Sequence, residues 1–113
     1  MIKFEIKDRE TGKTATYSKE DITLGEAERF YETVEKMDKE AEKKNAKSAD
    51  IRKIEREYFV SLFADQGLTE EDILKNMSTR QYSKVSDATF REIQGEDEEG
   101  TETSSNEAGK TTE

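Results

Sequence analysis

Residues 23–41 read TLGEAERFYETVEKMDKEA, and this stretch decides the fold. Thr23 stands three residues before Glu26, the spacing of a capping box, in which each side chain satisfies an orphan backbone N–H of the other residue. From there Leu24, Ala27, Phe30, Tyr31, Val34, Met37 and Ala41 recur at steps of three and four, one apolar stripe along a helix of about five turns. The opposite face carries Glu32/Lys36, Glu35/Lys39 and Glu40/Lys44, i, i+4 pairs in the favoured order that contribute ~0.2–0.5 kcal/mol apiece. The pattern predicts fraying near Lys44 and Asn45.

Upstream of this helix the period changes from 3.6 to 2. Ile2, Phe4 and Ile6 alternate with Lys3, Glu5 and Lys7, as in a half-buried strand. Asp8 to Lys13 supplies turn residues, with Gly12 free to take a positive φ, and Thr14 to Tyr17 resumes an alternating, β-favouring run. The two runs predict a β-hairpin. A lone hairpin is marginal in water, so its apolar face should rest on the helices that follow.

Downstream, Ser48 is the expected N-cap of a second helix, with Asp50 complementing the positive end of its dipole. Ile51, Ile54, Tyr58 and Leu62 form its stripe, which widens near the end to include Phe59, Val60 and Phe63. The run Tyr58–Phe63 could be a strand by composition alone, but the charged, periodic residues before it favour a helix. Gln66-Gly67-Leu68 has the form of a Schellman stop, with Gly67 left-handed and Leu68 folding back. Thr69 then caps a short helix whose buried side is Ile73, Leu74 and Met77. Ser78 precedes Gln81 by three, a second capping-box pattern, and opens a last helix with Tyr82, Val85, Ala88, Phe90 and Ile93. Phe90 lies off the line of the others, and Gly95 ends the helix.

Past Gly95 the composition shifts. Residues 96–113 hold seven acids, one base and a single apolar side chain, Ala108. The formal charge is −9 over the whole chain; the tail supplies −6 of it, leaving the first 95 residues at −3. A self-repelling, apolar-poor segment of this kind is expected to be disordered. The organisation read here is one domain over residues 1–95, followed by an acidic tail over residues 96–113. The domain is thin in apolar material, so self-association or a partner could supply what its core lacks.

Chemistry has few parts to work with. The chain has no His and no Cys, which removes the usual nucleophile–base pairs, zinc sites and disulfides. Glu70-Glu71-Asp72 reads as the favourable negative start of a helix. Glu96 to Glu99 lacks the rigid support that a catalytic or Mg²⁺ site needs. Gly12-Lys13-Thr14 lacks the upstream glycine of a phosphate loop. No catalytic residue, cofactor or metal is therefore expected. Neither the domain nor the tail offers a basic face for nucleic acid, and no apolar run approaches a membrane span, so a cytoplasmic location without nucleic-acid or membrane partners is the expectation.

What remains is a surface for other proteins. Most aromatic residues here are core by default, but the first helix is long and strongly amphipathic, and a hairpin with short helices does not suffice to cover it. An uncovered part of its stripe would be a helix or peptide docking surface. The candidates are Phe30, Tyr31, Val34 and Met37, with Tyr58 and Leu62 on the second helix as the wall behind them.

The opening MIKFEIKDRETGKT, the start of the first helix at DITLGEAERFYE, and DQGLTEEDIL before the final helix and acidic tail resemble a known family. They are similar to the tail assembly chaperones of long, non-contractile-tailed phages (siphophages) of Gram-positive bacteria, of the staphylococcal type, and the resemblance runs from Met1 to about Glu99. It implies a non-enzymatic protein of virion morphogenesis that binds and solubilises the tape measure protein. The tape measure protein is a long, helical, apolar chain that sets tail length. The resemblance further implies help in recruiting tail tube protein, mainly through a longer frameshifted form, action in the host cytoplasm, and absence from the mature virion. This chain would correspond to the short form, and Gly109-Lys110 could be encoded by a slippery run.

The fold class read here is α+β and mainly α-helical: an N-terminal β-hairpin, two long helices, two shorter ones, and a disordered acidic C-terminal tail. The rival reading is a small acidic phage protein that mimics DNA and inhibits a host nucleic-acid-binding protein. It would need carboxylates spread over a rigid surface, whereas most of the excess charge lies in the tail.

Overall fold

A computed structural model describes residues 1–96. The expected disordered acidic tail lies outside the described residues, apart from Glu96. The chain forms strands β1 (Ile2–Lys7) and β2 (Thr14–Lys19), then helices α1 (Leu24–Ala41), α2 (Ser48–Leu62), α3 (Glu70–Asn76) and α4 (Thr79–Ile93), with a short 3-10 turn at Ala64–Gln66. The architecture is the α+β hairpin-plus-helices arrangement expected from the sequence.

The hairpin is antiparallel, with Ile2 opposite Lys19, Phe4 opposite Tyr17 and Ile6 opposite Ala15. The alternation puts Ile2, Phe4, Ile6 and Tyr17 on one buried face. The turn closes through Asp8, whose carboxylate accepts the backbone N–H groups of Glu10 and Thr11. That inner face rests on the end of α2, where Phe59, Leu62 and Phe63 are buried and Phe63 is wholly enclosed. Phe4 stacks on Tyr17 at 5.3 Å and meets Phe63 edge-on at 5.1 Å, geometries that add ~0.5–1.5 kcal/mol per pair beyond area burial. Leu68, Ile73 and Met77 from the α3 region, with Val85 and Ile93 from α4, complete the core.

Several of the expected stops and caps are present. At α1, Thr23 Oγ accepts from Glu26 N and the Glu26 carboxylate accepts from Thr23 N; Thr69 and Asp72 repeat this at α3. After α2, Gly67 has φ +91°. There the Leu68 N–H donates to Phe63 O and the Gly67 N–H to Ala64 O, the paired bonds of a Schellman stop.

Other local expectations are corrected. Ser48 is the first residue of α2 rather than its cap; Lys47 occupies the cap position without a side-chain bond, and Ser48 Oγ instead accepts from Arg52. Ser78 caps α4 by accepting from Gln81 N, but the Gln81 amide turns away to donate to the Glu5 carbonyl on β1. Leu74 points to solvent, so α3 buries Ile73 and not the pair. Helix α1 ends at Ala41, Glu40 pairs with Lys43 instead of Lys44, and the expected Glu32/Lys36 and Glu35/Lys39 pairs are not formed.

Helices α1 and α2 pack together as a helical hairpin of unequal depth. Near its base, Tyr58 is buried and its hydroxyl donates to Glu26 O at 2.7 Å. Beyond that, from Val34 through Glu57, no residue is fully buried. The distal half of the α1–α2 hairpin is thus a two-helix arm without a third layer over it.

Candidate functional site

The apolar stripe on α1 does not point straight at the core. Its buried residues are Ala27 and Thr33, with Phe30 and Met37 half-buried, whereas Tyr31 and Val34 are 50% and 36% exposed and Leu24 is 86% exposed. The polar Thr33 tolerates its place because its hydroxyl donates to Arg29 O at 2.8 Å, which satisfies the only buried polar group there. The inward direction of α1 is set by Tyr58 below and by α4 at one side. One flank of the stripe is left on the surface.

Phe90 explains part of this offset. It stands off the buried line of α4 made by Val85, Thr89 and Ile93, and crosses to α1, where its ring lies 5.9 Å from that of Phe30. Phe30 also meets Tyr31 at 5.9 Å and Tyr58 at 5.5 Å. The outcome is a ring cluster joining α1, α2 and α4, half of it open to water through Tyr31 and the 43% exposed Phe90.

Beside the cluster, α4 diverges from α2 and leaves a groove of about 630 Å³ lined by Phe30, Tyr58, Phe59, Tyr82, Phe90 and Ile93, among others. Tyr82 closes one side, its hydroxyl donating to the Glu55 carboxylate at 3.2 Å. Burial, and then the neighbouring Glu55 charge, pushes the Tyr82 phenol up to about 12; burial does the same for Tyr58. Both phenols therefore remain protonated donors at any physiological pH.

The structure brings Phe30, Tyr31 and Tyr58 of the sequence-derived candidates into one cluster, and carries Val34 and Met37 onward along the arm. Tyr58 and Leu62 belong to the interior, at 8% and 3% exposure, so they support α1 from behind and offer no surface of their own. Phe90 and Tyr82 escaped the sequence reading as surface candidates. The signal for Phe90 was its departure from the α4 stripe.

Among the described residues no group of three or more acidic side chains is placed to hold a metal ion. Among those same residues no helix is long and apolar enough to cross a membrane. What the site presents is open aromatic rings on a helix, with an apolar groove alongside.

Residues 1–111 match the family model described as phage tail chaperone protein. The chain belongs to that family. Its members are non-catalytic assembly factors, and the coverage takes in every described element, from the hairpin to α4. No curated protein and no solved structure matches the chain.

Proposed function

We propose that this phage tail chaperone binds the tape measure protein, keeps it soluble in the host cytoplasm, helps to recruit tail tube protein, and does not remain in the mature virion. The observation that supports this reading best is the open apolar flank of α1, where Tyr31 and Val34 are exposed beside the Phe30–Phe90 ring pair. A long helical client with an apolar seam is insoluble because that seam has no partner. A preformed helix presenting aromatic side chains supplies one, in the helix-to-helix mode of recognition. Phe30, Tyr31, Val34 and Met37 make the contact in this reading, and Tyr58 and Leu62 hold α1 in place beneath it. The acidic C-terminal residues keep the loaded complex dispersed by charge repulsion.

Co-expression with tape measure fragments tests the proposal. Fragments that are insoluble alone should move to the soluble fraction with the wild-type chain and return to the pellet with Tyr31→Ser/Val34→Ser. If every fragment stays insoluble beside the wild-type chain, the reading fails.

A further inference from the structure

One line along α1 combines exposed apolar side chains with unpaired carboxylates. Steps of four and three from residue 24 pass through Leu24, Glu28, Tyr31, Glu35, Asp38 and Glu42, and all six are exposed. This alternation of four and three is the spacing at which one helix meets another along a seam. Val34 lies directly beside the line, and Lys39 is its neighbouring cation.

Unpaired carboxylates occur elsewhere too, at Glu5, Glu20, Glu32 and Asp65 among others, but on this line they follow one another along a single helix face. Glu26 and Glu40, on the opposite side of the same helix, are held by Lys19 and Lys43. Glu70 is shared by Lys53 and Arg56, Glu71 pairs with Lys75, and Asp87 with Arg91. Among the described residues, Glu28, Glu35, Asp38 and Glu42 have no ion pair and no side-chain hydrogen bond. Four uncompensated negative charges on one helix face repel each other and slightly weaken the helix. They also create a field that favours cations next to the apolar side chains.

From this we propose that the α1 face takes a basic amphipathic helix, whose apolar seam covers Leu24, Tyr31 and Val34 while flanking Lys or Arg side chains reach Glu28, Glu35 and Asp38. The inference rests on the chaperone reading above and narrows it to the class of client segment that docks. Apolar contact supplies the main attraction; the charges select the segment and its direction along α1. An acidic amphipathic helix is disfavoured by the same carboxylates.

Two labelled helical peptides of about five turns, matched to the length of α1, test this against the full chain by fluorescence anisotropy. Both carry one Leu/Ala seam; one flanks it with Lys and the other with Glu. The Lys-flanked peptide should bind. Its affinity should drop on the order of tenfold when salt is raised until the Debye length is ~3 Å. The Glu-flanked peptide should bind at least about tenfold more weakly at low salt. Glu28→Lys/Glu35→Lys brings the line from four negative charges to a balance and should abolish the preference, with the circular dichroism unchanged because neither side chain has a partner to lose. Equal binding of the two peptides by the wild-type chain, or a double variant without effect, overturns the inference. So does a wild-type dimer that Tyr31→Ser abolishes and that excludes the Lys-flanked peptide, since a second copy would then own the face.

The same double variant separates this inference from the broader reading. If wild type and Glu28→Lys/Glu35→Lys solubilise tape measure fragments equally, the charge selection fails and the chaperone role stands. If wild type solubilises none yet prefers the Lys-flanked peptide, the surface stands and the proposed client is wrong.

Discussion

Gln66 grips Ser18 from both ends of its peptide edge. Its Oε1 accepts from the Ser18 N–H at 3.1 Å and its Nε2 donates to the Ser18 carbonyl at 2.8 Å. One side-chain amide thus makes the two bonds that a third strand would make at that position. On the other edge of the sheet Gln81 occupies the Glu5 carbonyl, and Asn76 accepts from Arg9 N just beyond the strand. A two-stranded sheet has nothing but edges, and an unpaired edge is a template for another chain. Gln66→Ala should lower stability by about 1 kcal/mol in urea unfolding. It should also add concentration-dependent association in sedimentation. Gln66→Glu keeps an acceptor for the Ser18 N–H but has no donor for its carbonyl, so it should lose the clamp as well. An alanine variant as monomeric as wild type would mean that the edge is protected by other means.

Two phenylalanines should separate fold from surface. Phe63 is enclosed at the meeting point of the hairpin and α2, whereas Phe90 is 43% exposed over Phe30. Phe63→Ala should cost ~3–5 kcal/mol through lost burial and a cavity, enough to unfold a small domain. Phe90→Ala should cost about 1 kcal/mol, the order of one ring pair. Denaturant midpoints measure both, and comparable losses would contradict the assignment of Phe90 to the surface.

Gly67 tests backbone against packing. At φ +91° a Cβ would have no atom within 4 Å, so Gly67→Ala meets open space and is penalised by conformation alone. The left-handed region costs a non-glycine residue roughly 1–2 kcal/mol. Gly67→Asn should recover part of that loss, because Asn tolerates the same region. Thermal unfolding of the two variants should rank them Gly, Asn, Ala.

Acid should weaken the fold in a defined window. Burial raises the Glu26 carboxyl, but hydrogen bonds from Lys19 and the Thr23 N–H outweigh it and hold the group below its ordinary 4.5. Hydrogen bonds from Lys53 and then Arg56 lower Glu70, and the backbone N–H groups of Thr11 and Glu10 lower Asp8 below 3.8. A folded-state value below the unfolded one stabilises the fold at pH above the unfolded value, and that contribution is lost as pH falls through the folded value. Where these groups are concerned, the melting temperature should be flat from neutrality to about pH 5 and should fall in more acid solution. Glu26→Gln should make the acid fall shallower; an unchanged slope would assign the acid sensitivity to other groups.

The local devices of this fold were legible because they are written within a few residues. The Thr23–Glu26 box, the Thr69 cap, the Gly67 stop, and the alternation of Ile2, Phe4 and Ile6 need no knowledge of the rest of the chain. The rotation of α1 was not legible. Periodicity marks Leu24, Tyr31 and Val34 as one stripe with Ala27 and Phe30, and the stripe is wider than the surface available to cover it. Which flank remains open depends on where α4 crosses, and that crossing is decided by residues some sixty positions away, Phe90 among them. Gln81 was misread for the same reason: its partner is the backbone of β1, which no local spacing can reveal. Tyr58 and Leu62 turned inward because the hairpin and α1 together cover the end of α2.

The α1–α2 arm, with no residue wholly interior from Val34 to Glu57, divides the molecule into a firm half and a yielding one. Amide hydrogens there should exchange through small openings that leave the Phe4–Phe63 centre untouched. Under the proposed chaperone role, such an arrangement would let side chains along the arm adjust to successive stretches of a long guest while the hairpin end keeps its form.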